Sequence, residues 1–104
     1  MTSQAEKAAL FLKLHHKGSA LLLPNAWDIA SVKVFEQAGF PAIGTTSAGI
    51  AFANGYPDGQ QISRDEMLAQ IKRMVAAVDV PVSADIEAGY GPTPEDVAAT
   101  IKGV

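Results

Sequence analysis

The chain contains no cysteine among its 104 residues, which excludes a disulfide framework, a thiolate nucleophile and thiolate metal ligands. It has no cluster of Lys or Arg and a net charge of −3, which argues against a nucleic-acid partner. No apolar run approaches the roughly 20 residues that span a bilayer, and residues 1–7 lack the basic and apolar regions of a signal peptide. We therefore expect a soluble, cytoplasmic protein with neither a nucleic-acid nor a membrane partner.

What is present indicates one globular unit. Apolar residues make up 48% of the chain and charged residues 18%, a balance typical of a folded domain rather than a disordered segment. At this length residues 1–104 form at most one domain, large enough to bury a core but small for most enzymes.

Helix signals recur along the chain. Ser3 with Glu6, and Ser63 with Glu66, have the spacing of capping boxes, and Asp28 (or Asn25) and Thr93 are suitable caps for further helices. Pro94 suits a first helical position. These signals predict helices over residues 3–17, 29–38, 50–52, 63–78 and from 93 onward. In the last of these, we expect Val97 and Ile101 to face inward.

Three short apolar runs alternate with these helices, at residues 20–23, 41–46 and 80–84, and we predict that each is a strand. Strands that alternate with helices indicate βαβ units with a parallel sheet and right-handed crossovers. Three strands do not close a barrel, which needs eight. The chain is therefore either a small open α/β domain or the first part of something larger.

Asp85 and Glu87 directly follow the third predicted strand. If the backbone is still extended there, both carboxylates leave the same face, because side chains alternate with a period of two. Two adjacent anions need either a cation or open water, and Mg²⁺ takes one or two carboxylates while keeping several waters. A solvated strand end fits the local sequence as well. The carboxyl-end face of a parallel sheet is where such folds place their chemistry, which favours the metal site.

The loops after the other two strands are polar or rich in small residues. Thr46, Ser47 and the residues around them could offer hydroxyl and N–H groups to an anion, although a plain capped loop is equally compatible. Trp27 could line a pocket or simply cover the core, and Asp58 is most simply a turn residue. His15 and His16 diverge by about 100° on a helix and cannot face one ion together, so we interpret them as surface residues.

Four blocks, taken together, resemble the amino-terminal portion of the isocitrate lyase/phosphoenolpyruvate mutase family, particularly its methylisocitrate lyase-like and phosphonate lyase-like members. The blocks are residues 23–31 (LPNAWDIAS), 37–49 (QAGFPAIGTTSAG), 55–59 (GYPDG) and 84–91 (ADIEAGYG). They occur in the family's order and at similar spacing, over essentially the whole chain.

The resemblance implies that the chain is the N-terminal part, about three β/α units, of a (β/α)8 TIM-type barrel. It also implies a magnesium-dependent lyase or mutase that acts on an α-oxocarboxylate or enolpyruvate-type ligand. Such an enzyme cleaves a C–C or P–C bond through a metal-stabilised enolate. The partner would be a small carboxylate substrate, and the full-length form would be a homo-oligomer.

The resemblance also assigns residue roles. Asp85 would bind Mg²⁺ directly and Glu87 through water, while Asp58 would be a catalytic residue near the metal. The substrate-binding residues would be those that hold or border the ligand carboxylate: Trp27, Thr46, Ser47 and Ala48.

The sequence departs from the family's pattern at two places that bear on which substrate would fit. Glu87 stands where most members carry Asp, and Thr46-Ser47 replaces Ser-Gly. The family's KKCGH gating loop, further acidic ligands and a substrate-binding Arg would lie beyond Val104, so we expect the 104-residue chain alone to be inactive.

Two other functions remain open. The chain could be a non-catalytic α/β module that associates through exposed strand edges. A phosphate-binding barrel is a weaker option, since small Gly/Ser loops also bind phosphate, but no Gly-x-Gly-x-x-Gly or P-loop spacing occurs.

Overall fold

The computed structural model describes residues 2–104, which form five helices and a three-stranded parallel sheet. In chain order the elements are α1 (Gln4–Leu14), β1 (Asn25–Ala26), α2 (Ile29–Gln37), β2 (Ile43–Thr45), α3 (Ser47–Ala53), α4 (Arg64–Ala76), β3 (Val82–Ser83) and α5 (Pro94–Gly103). The strands lie in the order β1-β2-β3, with Asn25 opposite Gly44 and Gly44 opposite Ser83. The predicted α/β class and parallel sheet are confirmed.

Local capping explains where most helices begin. Ser3 and Glu6 form the predicted capping box at α1, and Asp28 caps α2 in a reciprocal pair with Ser31. Thr93 caps α5 by accepting a hydrogen bond from the N–H of Asp96, with Pro94 in the first turn.

The capping box predicted at α4 is only half formed. The Ser63 hydroxyl accepts a hydrogen bond from the N–H of Glu66, as predicted. The Glu66 carboxylate instead accepts a hydrogen bond from the Tyr56 hydroxyl at 2.9 Å, so it supports the preceding loop.

The strand predicted at residues 20–23 is wrong. These residues are irregular, Leu22 is 71% exposed, and β1 comprises Asn25 and Ala26 instead. The parallel register that pairs Asn25 with Gly44 places residues 20–22 opposite the turn at Gly39 (φ 94°), where no strand is available to pair. The other two strands lie inside their predicted ranges but are shorter.

Some helix boundaries also differ from prediction. α1 ends at Leu14 rather than near residue 17, and the segment predicted as a helix over 50–52 extends over Ser47–Ala53. His15 and His16 are exposed, as interpreted from the sequence.

The core lies between the sheet and the helices that follow its strands. Its buried apolar residues are Ala26, Val32, Ile43, Ile50, Ala51, Ile62, Met67, Ile71, Met74 and Val78. Every buried side-chain nitrogen and oxygen in residues 2–104 has a hydrogen-bond partner. No helix in this range is long and apolar enough to cross a membrane.

The side of α5 that faces the interior differs from the predicted one. Ile101 is 58% exposed, whereas Thr100 is fully buried. The Thr100 hydroxyl donates a hydrogen bond to the carbonyl of Gly89 at 2.6 Å, and Val97 is in position to contact Gly89 as well. The helix therefore packs on the loop after β3 through positions 97 and 100.

Candidate functional site

The residues that directly follow β1, β2 and β3 lie at one edge of the sheet, and the loop between α3 and α4 reaches the same edge through a hydrogen bond from Tyr90 to Gln60. We call this edge, with that loop, the C-terminal rim. The rim brings together the loops in which the sequence placed its candidates. Asp85 on the β3 side contacts Ser47 on the β2 side, and Trp27 on the β1 side lies beside Gly49. The shared edge follows directly from the parallel register of the three strands.

Asp85 is the best-anchored carboxylate of the rim. Its Oδ2 accepts hydrogen bonds from the Ser47 hydroxyl at 2.8 Å and from the Ser47 N–H at 3.3 Å. Its own N–H donates to the Thr45 hydroxyl at 2.9 Å. Both the backbone and the side chain of Asp85 are thus fixed by residues 38 to 40 positions earlier in the chain.

These contacts favour the ionised form of Asp85. Partial burial acts to raise the pKa of Asp85, but hydrogen bonds from the Glu87 N–H, the Ser47 hydroxyl and the Ser47 N–H outweigh it. The pKa of this carboxyl is therefore held below its usual value. An oriented, ionised carboxylate is the kind of ligand that a hard divalent cation takes.

The backbone is not extended at Glu87, contrary to the premise from which we placed two carboxylates on one strand face. β3 ends at Ser83, and Glu87 has a φ of 52°, in the left-handed region. The cause is local, because Oδ1 of Asp85 accepts a hydrogen bond from the Glu87 N–H at 3.0 Å and so bends the chain into an Asx-turn. The position of the Glu87 carboxylate is therefore set by a turn.

Tyr90 is the neighbour that fixes the Glu87 carboxylate. Its hydroxyl donates a hydrogen bond to Oε2 of Glu87 at 3.2 Å. Partial burial, followed by the negative charges of Glu87, Asp85 and Asp58, raises the pKa of Tyr90 above its ordinary value. The phenol therefore remains protonated at neutral pH and can donate its hydrogen bond to Glu87.

Asp58 is exposed, and its Oδ1 accepts a hydrogen bond from the N–H of the adjacent Gly59 at 2.8 Å. This contact is that of a turn residue. The hydrogen bond from the Tyr90 N–H to the Gln60 side chain, two residues after Asp58, joins this loop to the loop after β3.

The three residues predicted to hold a ligand carboxylate have different local roles. Thr46 caps α3, because its hydroxyl accepts a hydrogen bond from the Gly49 N–H at 3.1 Å. Ser47 is buried and directs both its hydroxyl and its N–H at Asp85, while Ala48 is half-buried in the first turn of α3. Ligand binding by these residues stays a prediction.

Trp27 is 43% exposed at the β1 side of the rim. The backbone N–H of Trp27 donates to the Ser31 hydroxyl at 3.0 Å, and this bond joins Trp27 to the first turn of α2. A methyl group added at Gly49 would come within 2.9 Å of Cβ of Trp27 and still closer to the Thr46 methyl, so a side chain at position 49 would displace one of them. Contact of the indole with a ligand also stays a prediction.

The carboxylates on their own do not form a complete metal cage. Within residues 2–104 no group of three or more His, Cys, Asp or Glu side chains is arranged to hold a metal ion. A site made of one or two carboxylates with several waters, as Mg²⁺ often uses, remains compatible with Asp85 and Glu87.

Two residues of the rim were not among the sequence candidates. Tyr90 belongs to the block of residues 84–91 but has no predicted role, and Gln60 has none either. Both have left-handed backbones, with φ of 60° for Tyr90 and 62° for Gln60. With Glu87, they are the three non-glycine residues with a positive φ in the described chain. Such conformations concentrate at functional sites, but φ cannot be read from residue identity.

Comparison with known proteins identifies the family. The profile of the family described as phosphoenolpyruvate phosphomutase matches residues 11–104. A Burkholderia cenocepacia protein described as a lyase/mutase has a crystal structure that is 47% identical in sequence, with a TM-score of 0.91. The match covers 96% of this chain and 36% of that one.

Two curated relatives agree with this match. An uncharacterised protein of Mycobacterium tuberculosis is 42% identical over 88 residues, covering 85% of this chain and 34% of the relative. The 2-methylisocitrate lyase of Bacillus subtilis is 34% identical over 90 residues, covering 86% and 30%. The chain spans about a third of the length of the relatives it matches. It belongs to the phosphoenolpyruvate mutase/isocitrate lyase superfamily.

Proposed function

We propose that the full-length protein is a magnesium-dependent lyase or mutase that cleaves a C–C or P–C bond in an α-oxocarboxylate or enolpyruvate-type ligand. Membership of a superfamily whose members include 2-methylisocitrate lyase supports this reaction class. The observation that carries the proposal is Asp85, an ionised carboxylate held by Ser47 and Thr45 where parallel strands end.

We further propose that the sheet continues into a (β/α)8 barrel in the full-length protein. In residues 2–104, β1 and β3 each pair only with β2, so both outer strands have an open edge to which further strands could add. The match covers only 34% and 36% of two relatives, so each is long enough for the roughly 250 residues of such a barrel.

Asp85 would hold the magnesium ion directly and Glu87 would hold it through water. Both residues lie at the rim, and magnesium commonly uses one or two carboxylates with waters. When bound, the ion supplies Lewis-acid stabilisation of negative charge that develops on the ligand oxygens.

The remaining rim residues would bind and enclose the ligand. Thr46, Ser47 and Ala48 would bind the carboxylate, and Trp27 would cover one side of it. Ser47 would also keep Asp85 oriented and ionised, which the structure supports through the two hydrogen bonds from its hydroxyl and N–H. Asp58 would act near the reacting atoms from the loop that follows α3.

Calorimetric titration of the full-length protein with Mg²⁺ in the presence of oxalate tests the proposal. Asp85→Asn should weaken magnesium binding at least tenfold, because it removes the ionised ligand while keeping the side-chain shape. Asp65→Asn is the matched control, since Asp65 is exposed in the first turn of α4. Equal magnesium affinity in wild type and Asp85→Asn would refute the metal role of Asp85.

The open strand edges favour one alternative, a non-catalytic α/β module that associates through β1 or β3. Under this alternative the full-length protein would neither bind magnesium with oxalate nor turn over 2-methylisocitrate or a phosphonate. The calorimetric experiment therefore separates the two functions.

A further inference from the structure

Two loops of the rim are joined by a single hydrogen bond between distant residues. Oε1 of Gln60 accepts a hydrogen bond from the N–H of Tyr90 at 2.8 Å, across 30 residues of sequence. Gln60 lies two residues after Asp58, and Tyr90 lies three residues after Glu87. This contact, which we call the Gln60–Tyr90 bridge, therefore connects the loop of one candidate carboxylate to the loop of another.

The side chain of Tyr90 extends the connection to the carboxylate itself. Its hydroxyl donates to Oε2 of Glu87 at 3.2 Å, while its ring packs against the buried core. A hydroxyl on a ring that the core holds has little freedom, so the bond fixes the side chain of an otherwise exposed glutamate.

The backbone of Glu87 is held from the other side by Asp85, whose Oδ1 accepts its N–H at 3.0 Å. Oδ2 of Asp85 is bound in turn by Ser47. A continuous series of hydrogen bonds thus runs from Ser47 through Asp85, Glu87 and Tyr90 to Gln60.

Three members of this series adopt the left-handed conformation, which is unfavourable for a residue other than glycine. Gln60, Glu87 and Tyr90 each take part in at least one hydrogen bond of the series. Surrounding structure must keep such a conformation in place, and here the partners are the other members of the series.

We propose that Gln60 and Tyr90 are positioning residues that fix the orientation of the Glu87 carboxylate and keep the Asp58 loop against the loop after β3. Neither acts on the ligand directly. This inference rests on the proposed function, because it assigns a purpose to the orientation of Glu87 at a magnesium site.

The test measures magnesium affinity of the full-length protein by calorimetry in the presence of oxalate. Tyr90→Phe keeps the packed ring and removes only the hydroxyl, and Gln60→Ala removes the acceptor of the bridge. Each should weaken magnesium binding roughly 3- to 10-fold, the effect of one lost hydrogen bond to a charged or positioned group. Ser3→Ala is the control, since it removes a hydroxyl that accepts the Glu6 N–H at the start of α1, outside the site, and should leave the affinity unchanged.

A double-mutant cycle separates positioning from general stability. In a Glu87→Gln background, Tyr90→Phe should cause less than a twofold further loss of magnesium affinity, because the group it positions has lost its charge. A merely structural role would give the same loss in both backgrounds. Hydrogen exchange supplies a readout that needs no metal, since Gln60→Ala should speed exchange at the Tyr90 N–H.

Magnesium binding by the wild type and by three variants separates the positioning role from the metal site itself. If the wild type binds magnesium and Asp85→Asn does not, but Tyr90→Phe and Gln60→Ala match the wild type, the positioning role is refuted and the metal site stands. If the wild type itself binds no magnesium with oxalate, the proposed function and this inference fall together.

Discussion

At the scale of single residues, the rim depends on hydrogen bonds that side chains make to residues far away in sequence. Ser47 and Thr45 hold Asp85 from 38 and 40 residues earlier, and Gln60 holds Tyr90 from 30 residues earlier. The donors and acceptors are common side chains, so these bonds depend on where the fold places them. The parallel register of β2 and β3 supplies that placement for Asp85.

Ser47→Ala should weaken the support of Asp85. The substitution removes the 2.8 Å hydroxyl bond and leaves the longer N–H bond, so the pKa of Asp85 should rise toward its usual value. Because the rim is exposed to solvent, we expect a loss of only about 1 kcal/mol in the free energy of unfolding at pH 7. NMR titration of the carboxyl and chemical denaturation measure the two effects.

The loss of unfolding free energy in Ser47→Ala should depend on pH in a defined direction. A carboxyl whose pKa is lowered on folding stabilises the fold above the unfolded-state value of about 3.9, and that contribution disappears as the pH falls through the folded-state value. The difference between wild type and Ser47→Ala should therefore shrink on acidification toward pH 2. Ser19→Ala, at an exposed serine after α1, is the control and should match the wild type throughout.

Tyr90 should make the free energy of unfolding depend on pH in the opposite direction, at high pH. Its pKa is raised by burial and by the neighbouring carboxylates, so its contribution to stability is complete below about pH 10 and is lost as the pH rises further. The unfolding free energy of the wild type should fall more steeply above pH 10 than that of Tyr90→Phe. The sequence has two tyrosines, so tyrosinate absorbance of the variant reports Tyr56 alone. Ionisation of Tyr90 at or below the ordinary value would contradict this account.

At the scale of elements, α5 packs against the loop after β3 through a close contact. Gly89 has a φ of 98°, and a methyl group added there would come within 2.7 Å of the Val97 side chain. The Gly89 carbonyl also accepts the hydrogen bond from the buried Thr100 hydroxyl. This glycine is therefore required for both its backbone conformation and its small size.

Gly89→Ala should destabilise the protein by about 2 to 3 kcal/mol, because strain and a steric clash add. Gly18→Ala is the control that isolates strain, since Gly18 has a φ of 80° with no atom within 4 Å of the added methyl group. Gly18→Ala should lower the free energy of unfolding by about 1 kcal/mol. Chemical denaturation of both variants measures the difference, and equal losses would show that α5 moves away without cost.

Elements that depend on neighbours a few residues away could be predicted from the sequence. The caps at Ser3, Asp28 and Thr93 are such cases, because the side chain and the N–H that it binds are three residues apart. Strand limits could not be predicted in this way, since they depend on which residue of the next strand lies opposite. The apolar run at 20–23 has the composition of a strand but lies opposite a turn.

The candidate site also has some features that could be predicted from the sequence and others that could not. The rim location of Asp85, Ser47 and Trp27 could be predicted, because parallel strands end at one edge of the sheet. The left-handed turn at Glu87 could not, since it depends on which oxygen of Asp85 binds which N–H. The link between Tyr90 and Gln60 requires knowing that two loops 30 residues apart meet.

At the scale of the whole molecule, apolar surface remains uncovered. The large apolar side chains that stay substantially exposed are Leu10, Leu12, Leu22, Trp27, Val34, Phe52, Ile101 and Val104. An apolar cleft also lies between α1, α4 and β3, lined in part by Phe11, Ile71 and Val75. Together with the open strand edges, these surfaces indicate that residues 1–104 need further contacts to bury their apolar faces.

The isolated chain 1–104 should therefore self-associate and be inactive. We expect a concentration-dependent mass by light scattering, and no turnover of 2-methylisocitrate or a phosphonate in the presence of Mg²⁺. A complete active site requires groups from several strands of a closed barrel. The full-length protein is the positive control, and a monomeric 104-residue chain that turns over either substrate would contradict the proposed barrel requirement.

The 38 residues that separate Ser47 from Asp85 also bear on the order in which the protein folds. Contacts between distant residues form late, because closing the intervening loop must come before the contact can stabilise anything. During synthesis Ser47 emerges well before Asp85, and α4 and β3 must be made in between. We expect that the rim is among the last parts of the chain to become native, after the helices whose caps are local.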